Sequence, residues 1–292
     1  MIIADKDQKH HEAEDTGHEW DGIRELKNDP PRWWTIMFWL TPVWIAGYLL
    51  LYPSIPFPSG SSKGLLGWTS HGEYDKGRQE IEEIRAPFER KIAAMSAKEI
   101  LNDPEMSNYA VNSIKQTFGD NCAACHGSGG QGGKNFPILA DDDWLYGGTI
   151  EKIQETITEG RGGAMPAFQG RFTPEEMGDL MQFLKDAQQG KVFEPGKKVF
   201  LGQTKANAEC STCHGEDAKG NQDMGSANLT DGICRFDCTP EGLEYTVLHG
   251  VNDDGDVKTR KATMPVWGKK LTETQIKKLA VKVYLFGGGQ KS

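Results

Sequence analysis

Hydrophobic positions in this chain follow three patterns, and each predicts a different kind of element. The first is an uncharged run of twenty residues, WWTIMFWLTPVWIAGYLLLY, from Trp33 to Tyr52. A helix of that length crosses a hydrocarbon core of about 30 Å. Trp33, Trp34 and Tyr52 stand at its ends, where interfacial aromatics sit, and Pro42 kinks such a helix without forbidding it. The second pattern is short helical spacing. Trp20, Ile23 and Leu26 predict a brief helix on the membrane surface. Ile81, Ile84, Phe88, Ile92 and Met95 share one face, so residues 75–100 read as helical, divided in two at Pro87. The third is a repeated block that opens and closes with a helix. The first block opens with MSNYAVNSIKQTF and closes with TPEEMGDLMQFLKDA. There Thr173 is the N-cap, Pro174 takes the first helical position, and Glu175 and Glu176 meet the positive end of the dipole. The second block opens with PGKKVFLGQ and closes with LTETQIKKLAVKVYLF, capped by Thr272. Residues 1–16 are polar and predicted to be disordered, and the Pro/Gly/Ser-rich Tyr52–Gly64 stretch reads as a linker.

These patterns predict an all-α chain: residues 1–32 as a cytoplasmic or interfacial segment, 33–52 as a transmembrane helix, 53–103 as a linker with helices, then domains at 104–190 and 191–292. A buried soluble helix is the bland alternative for the span, but it would show a polar face. A cleaved signal peptide is the other rival. It would begin basic and end in a small-residue cleavage site, whereas residues 1–32 are acid-rich and YPSIPFPSGSS has no A-x-A pattern. Arg24, Lys27 and Arg32 precede the span, and only Lys63 follows within twenty residues. By the positive-inside rule the N-terminus stays in the cytoplasm and the remainder is exported.

Composition narrows the class. The 292 residues allow two ordinary domains, and 35 Gly and 14 Pro suit small loop-rich ones. A net charge of −9 points away from nucleic acid. Residues 103–190 hold 6 basic and 13 acidic side chains, and residues 191–292 hold 15 and 13. An acidic first block is either ordinary solvation or a surface that steers a basic partner.

The chemistry lies in a motif that occurs twice, 88 residues apart: Cys122-x-x-Cys125-His126 and Cys210-x-x-Cys213-His214. Cys-x-x-Cys-His is the attachment signature of c-type haem. Two thiols one turn apart add to the two vinyl groups of one porphyrin, and the following histidine becomes the proximal iron ligand. A thioredoxin-type dithiol and a zinc site shared between the motifs are the rivals. Neither predicts a separate helical framework around each motif. For the second axial ligand, Met165 follows His126 by 39 residues and Met264 follows His214 by 50. Both begin a Met-Pro pair shortly before a closing helix, and in chain order each methionine serves the motif preceding it. The difference falls at an insertion around GVNDDGDVKT. Met224, His249 and His71 are the competing ligands, while Met95, Met177 and Met181 read as packing. The free imidazole N–H of each histidine needs an acceptor, and the carbonyls of Pro137 and Ala227 stand at matching places. Cys234 and Cys238 lack a following histidine. In an exported domain they read as a disulfide, with free thiols as the alternative.

The two blocks resemble tandem class I cytochrome c domains. More specifically, HEWDGIRELKNDPPRWW (His18–Trp34), DDDWLYGG (Asp141–Gly148) and GRGGAMPAF (Gly160–Phe168) resemble the dihaem subunit III of cbb3-type cytochrome c oxidases. This chain departs from that pattern in its single span, its Cys234–Cys238 loop and its acidic insertion. The resemblance implies two covalently bound haem c groups on Cys122, Cys125, His126, Cys210, Cys213 and His214, with iron also ligated by Met165 and Met264. It implies an electron-transfer subunit that is not catalytic by itself, in the bacterial inner membrane, with periplasmic haem domains. Its partners would be a haem–copper catalytic subunit, a monohaem cytochrome c subunit, and a donor cytochrome c or bc1-type complex. A free-standing dihaem shuttle or a dehydrogenase's cytochrome subunit would use the same iron chemistry. A dihaem peroxidase or gas sensor would instead need an open iron site, which ligation by both methionines would close.

Overall fold

The computed structural model describes residues 14–291, so the expectation for residues 1–13 lies outside it. The chain divides into two units, Met1–Ile84 and Arg85–Ser292.

In the first unit the expected surface helix is replaced by a hairpin of β1 (Asp15–Trp20) and β2 (Ile23–Leu26). Asp21 and Gly22 take φ of 49° and 85° between the strands. That pair forms the two-residue turn whose twist suits a hairpin. It opposes Trp20 to Ile23 and Glu19 to Arg24, and Arg24 ion-pairs with Asp15 at 3.2 Å. The spacing of Trp20, Ile23 and Leu26 fits a helix, but the intervening Asp-Gly turn decides the outcome. Helix α1 (Arg32–Leu51) follows. It is long and apolar enough to cross a membrane, and none of its residues is buried. The expected linker is ordered. Strands β3 (Pro56–Phe57) and β4 (Gly60–Ser61) pair, and the chain turns back so that Leu65 and Leu66 donate to the Leu50 and Leu51 carbonyls at 3.0 and 3.1 Å. The end of α1 is thereby capped with backbone donors.

Helix α2 (Ser70–Ala94) runs through Pro87 undivided, contrary to expectation. Proline removes one bond, to the carbonyl of Glu83, and that residue is exposed to water. The break falls instead at Ser96, whose side chain forms a capping box with Glu99 and starts α3 (Ala97–Asn102). Asp103 caps α4 (Pro104–Ser113) by accepting from the Glu105 and Met106 amides. Next come α5 (Lys115–Asn121), α6 (Ala123–His126), α7 (Ile150–Glu159), β5 (Arg161–Gly162) and α8 (Pro174–Ala187). They are followed by α9 (Glu194–Phe200), α10 (Ser211–His214), α11 (Pro240–His249), β6 (Thr263–Met264) and α12 (Glu273–Tyr284). The expected caps Thr173 and Thr272 both close capping boxes, with Glu176 and Gln275. Among the described residues there are three short two-stranded sheets, so the fold is mainly rather than wholly helical.

The second unit holds two hydrophobic cores, and they do not follow the two sequence blocks. Core one joins Ile100, Met106, Ala110, Ile114 and Phe118 to Ile150, Ile153 and Ile157 of α7, and to Ile276, Leu279, Ala280 and Val283 of α12. Core two joins Met177, Leu180, Phe183 and Leu184 of α8 to Val199 and Phe200 of α9 and Val247 of α11. Each block therefore lends its closing helix to the other block's core. The period of α12, with positions 276, 279, 280 and 283 inward, buries its stripe against α3, α4 and α7. Each large aliphatic side chain so buried contributes roughly 1.5–3 kcal/mol.

A polar clasp reinforces this exchange. Lys278, almost fully buried on α12, reaches Glu89 of α2 at 2.7 Å, and the Tyr109 hydroxyl donates to the same carboxylate oxygen at 2.7 Å. Burial alone would raise the Glu89 carboxyl, but the bonds from Lys278 and Tyr109 outweigh it and leave Glu89 below its ordinary 4.5. The stabilisation is complete above that ordinary value and is lost as pH falls through the lowered one. Glu89→Ala, which strands the ammonium, is expected to cost about 1–3 kcal/mol at neutral pH. The deficit should shrink in acid. Thermal unfolding of both proteins across pH checks it, and a pH-independent difference would contradict this account.

Candidate functional site

The two Cys-x-x-Cys-His motifs occupy equivalent places, one in each core. The first follows α5 and forms α6; the second forms α10. Cys122 packs against core one and Cys210 against core two. Both histidines are partly buried, and their Nδ1 atoms face main-chain carbonyls: His126 to Pro137 at 3.1 Å and His214 to Ala227 at 2.9 Å. These are the acceptors read from the sequence. Burial lowers both histidine pKa values despite those carbonyls. A neutral ring donating through Nδ1–H keeps Nε2 as a free lone pair, the form that binds a metal.

The first thiol of each motif differs from the attacking thiol of a redox dithiol. Burial, with Cys125 nearby, pushes Cys122 up to about 11, and burial likewise pushes Cys210 up to about 11. An attacking redox thiol has a lowered value. The motifs also pack in separate cores, so their four thiols do not converge as one zinc site requires.

The two methionines pack across the order of the chain. Met264, from block two, packs against core one with Cys122, Ala123 and Trp267. Met165, from block one, packs against core two with Cys210. The physical reason is the crossing of the chain between cores. After α7 the strand β5 pairs antiparallel with β6, setting Arg161 opposite Met264 and Gly162 opposite Thr263. The outgoing chain then bridges Met165 to Val251 through two 2.9 Å bonds. Two antiparallel passes thus carry each Met-Pro pair into the pocket of the other block.

A glycine at the C-cap of α7 and another at the C-cap of α11 make this approach possible. Gly160 adopts φ 68° and Gly250 φ 64°, both with extended ψ. A Cβ at Gly160 would strike the Met264 carbonyl and Pro265, and one at Gly250 the Met165 carbonyl and Pro166.

The competing ligands are accounted for otherwise. Met224 is exposed. His249 is buried and its Nδ1 bonds Asp256 at 2.8 Å. His71 is exposed on α2. Met177 is core, and Met95 and Met181 pack on cores. Cys234 and Cys238 are joined as a disulfide.

Sequence reading missed two arginines, each four residues before a methionine. Arg161 lies over the Tyr146 ring at 4.9 Å and Arg260 over Phe236 at 5.0 Å. Aligning the two Met-Pro pairs exposes them, since Tyr146 and Phe236 each precede their N-cap threonine, Thr149 or Thr239, by three residues. Arg161 bonds Glu155 at 2.7 Å, yet its Nε, like that of Arg235, is buried without a partner among the described residues.

Residues 12–59 match the family described as the N-terminal domain of cytochrome oxidase-cbb3, FixP. Residues 110–184 and 201–281 match that described as cytochrome c oxidase, cbb3-type, subunit III. The cbb3-type cytochrome c oxidase subunit FixP of Azorhizobium caulinodans is 40% identical over 288 residues, covering 94% of this chain and 93% of the relative. FixP of Sinorhizobium medicae is 39% identical, covering 95% and 96%. Subunit CcoP of Cereibacter sphaeroides is 34% identical, covering 99% and 100%.

Gly160→Ala and Gly250→Ala are each expected to lose about 1–3 kcal/mol from conformation alone, with the collision adding to it. Gly162→Ala, where a Cβ meets nothing within 4 Å, should stay within about 0.5 kcal/mol of the parent. Denaturant unfolding of the three variants measures this, and equal losses at all three positions would contradict it.

Proposed function

The chain belongs to the cbb3-type cytochrome c oxidase subunit III family, and from that premise we propose that it carries two covalent haem c groups closed by exchanged methionines. It is a cytochrome c electron-transfer subunit, and it works in complex with other oxidase subunits. In our reading, Cys122 and Cys125 attach the first haem, with His126 and Met264 as its iron ligands. Cys210 and Cys213 attach the second, with His214 and Met165.

The observation that carries this reading is the packing of Cys122 with Met264 in one core and Cys210 with Met165 in the other. The donor set fits the group. Each pocket offers two thiols for vinyl carbons, a neutral imidazole and a thioether. The first pocket also holds cations suited to anionic propionates. Arg161 sits on the strand paired with Met264 and has an unpartnered Nε, and Arg235 acts electrostatically on His126.

When bound, the haem supplies an iron that cycles between ferrous and ferric. The protein's part would be to hold the histidine and methionine donors in place in either state. The Pro137 and Ala227 carbonyls orient the imidazoles, and the β5–β6 pair and the Met165–Val251 bridge fix the two methionine backbones. A thioether favours ferrous iron and raises the potential. With His126 and Met264 held at one iron and His214 and Met165 at the other, no position would remain for a substrate, and the subunit would relay electrons without catalysing a reaction itself. Electrons would enter from a donor cytochrome c or bc1-type complex. They would leave through the monohaem subunit toward the haem–copper subunit. The span Arg32–Leu51, with Arg24, Lys27 and Arg32 before or at its start, supports a cytoplasmic N-terminus in the inner membrane and periplasmic haems. The relatives' names do not favour a free-standing shuttle.

The pairing is tested in single-haem variants of the full chain. With Cys122 and Cys125 replaced by serine, Met165→Ala should abolish the sulfur-to-iron charge-transfer band of the ferric protein and lower its potential. Met264→Ala should leave the band in place. The reverse result would return the methionines to chain order.

A further inference from the structure

The segment between Val251 and Thr259 has no counterpart in block one, where the histidine-to-methionine distance is 39 residues rather than 50. It looks like a surface insertion in the sequence. In the structure it frames the Met165 loop on both sides. Asn252 takes φ 50°, a left-handed turn that presents consecutive side chains to the two flanks of the methionine. Its Nδ2 donates to the carbonyls of Gly163 at 2.6 Å and Ala262 at 2.8 Å, and its Oδ1 accepts from the Ala262 amide at 3.0 Å. Asp253 takes the other flank. Its Oδ2 accepts from the Ala167 amide, two residues past Met165, at 2.6 Å. Its Oδ1 accepts from the Gly255 amide at 2.7 Å. The Asp253 amide donates to Thr259 Oγ1 at 3.0 Å, and Thr259 is itself buried.

Met264 is tied to its pocket through main-chain groups. Besides the β5–β6 pair, the amides of Trp267 and Gly268 donate to the carbonyls of Ile157 and Thr158 at 3.2 and 2.9 Å. The Met165 loop has its own main-chain bridge to Val251 and, in addition, a carboxylate. Hydrogen bonds to an ionised acceptor are roughly twice as strong as neutral ones.

We propose that Asp253 is a positioning residue for Met165: its carboxylate anchors the Ala167 amide and so keeps the Met165 sulfur on its iron. The inference rests on Met165 being an axial ligand, as assigned above. The Asp253 side chain does not reach the metal in this scheme; it acts through two residues of backbone. Its consequence is an asymmetry between the haems, with the one served by Met165 more firmly closed to outside ligands.

The test uses the full-length protein with both haems. The ferric form is titrated with imidazole, which replaces a thioether only when the sulfur leaves, and the charge-transfer band reports that departure. Asp253→Ala is expected to raise imidazole affinity about tenfold or more at one of the two haems, the effect of one lost hydrogen bond to a charged group. Asp254→Ala removes an exposed neighbouring carboxylate and should change nothing, which separates the bond from the charge. Asp253→Asn replaces a charge-assisted bond by a neutral one and should shift affinity in the same direction by less. Parent-like affinity and an intact band in Asp253→Ala overturn the proposal. If the alanine variant does not fold, an unshifted Asp253→Asn overturns it equally. Repeating the titration in the single-haem backgrounds separates this inference from the ligand assignment. A shift at the Cys210/Cys213 haem supports both. A shift at the Cys122/Cys125 haem supports Asp253 as the anchor and overturns the exchanged pairing. Met165→Ala that loosens neither haem overturns the ligand assignment and the proposal with it.

Discussion

Everything in the haem-bearing unit depends on two short antiparallel backbone contacts: β5 against β6, and Met165 against Val251. They are small, a few hydrogen bonds in all, each worth about 0.5–1.5 kcal/mol net. Their importance is topological. They fix where the chain leaves one core and enters the other, and so decide which helix completes which core. Gly160 and Gly250 permit the contact, because only a residue without a Cβ fits between a helix end and a Met-Pro carbonyl. The cores then supply the energy that makes the crossing worthwhile. The α12 stripe of Ile276, Leu279 and Val283 finds its helical partners on α3, α4 and α7, outside its own block.

What was legible in the sequence is what local chemistry fixes. Thr173 and Thr272 cap helices because their hydroxyls and the residue three positions on satisfy the first amides. The Cys-x-x-Cys-His motifs form single turns, and the Pro137 and Ala227 carbonyls lie a short loop away from their histidines. The failures were of two kinds. At Trp20–Leu26 one set of apolar positions served helix and hairpin alike, and the Asp-Gly turn between them was the overlooked arbiter. At Pro87 a missing donor was taken for a helix end, when the residue it fails to bond, Glu83, is exposed and the true signal was the capping box at Ser96. The packing of the two methionines was a different matter. Both blocks present the same Met-Pro pair before the same kind of helix, so chain order and exchange are equally consistent with the pattern. Only long-range packing distinguishes them.

The repeat inside the chain also shows how one structural need is met with different chemistry. In block one, the Trp144 indole lies against Gly148, just before the Thr149 cap of α7, and donates to the Gly288 carbonyl at 2.6 Å. In block two the same two places hold Cys234 and Cys238, just before the Thr239 cap of α11. One loop is closed by an aromatic plate packed on a glycine, the other by a covalent link. Both serve to deliver a helix whose C-cap glycine meets a methionine from the other block.

The lending of α12 to core one also has a temporal side. A ribosome emits the first Cys-x-x-Cys-His turn long before the helix that completes its core. Tyr284 follows His126 by 158 residues, which at about 5–20 residues per second corresponds to roughly 8–30 s of synthesis. Until then Phe118, and Ile150, Ile153 and Ile157 once they emerge, lack the surface they are destined to cover. The nascent domain must therefore be kept from aggregating, or from accepting α8 in the place of α12, until translation ends. An interleaved relay thus buries its pockets from both directions but makes the oldest part of the molecule wait for the youngest.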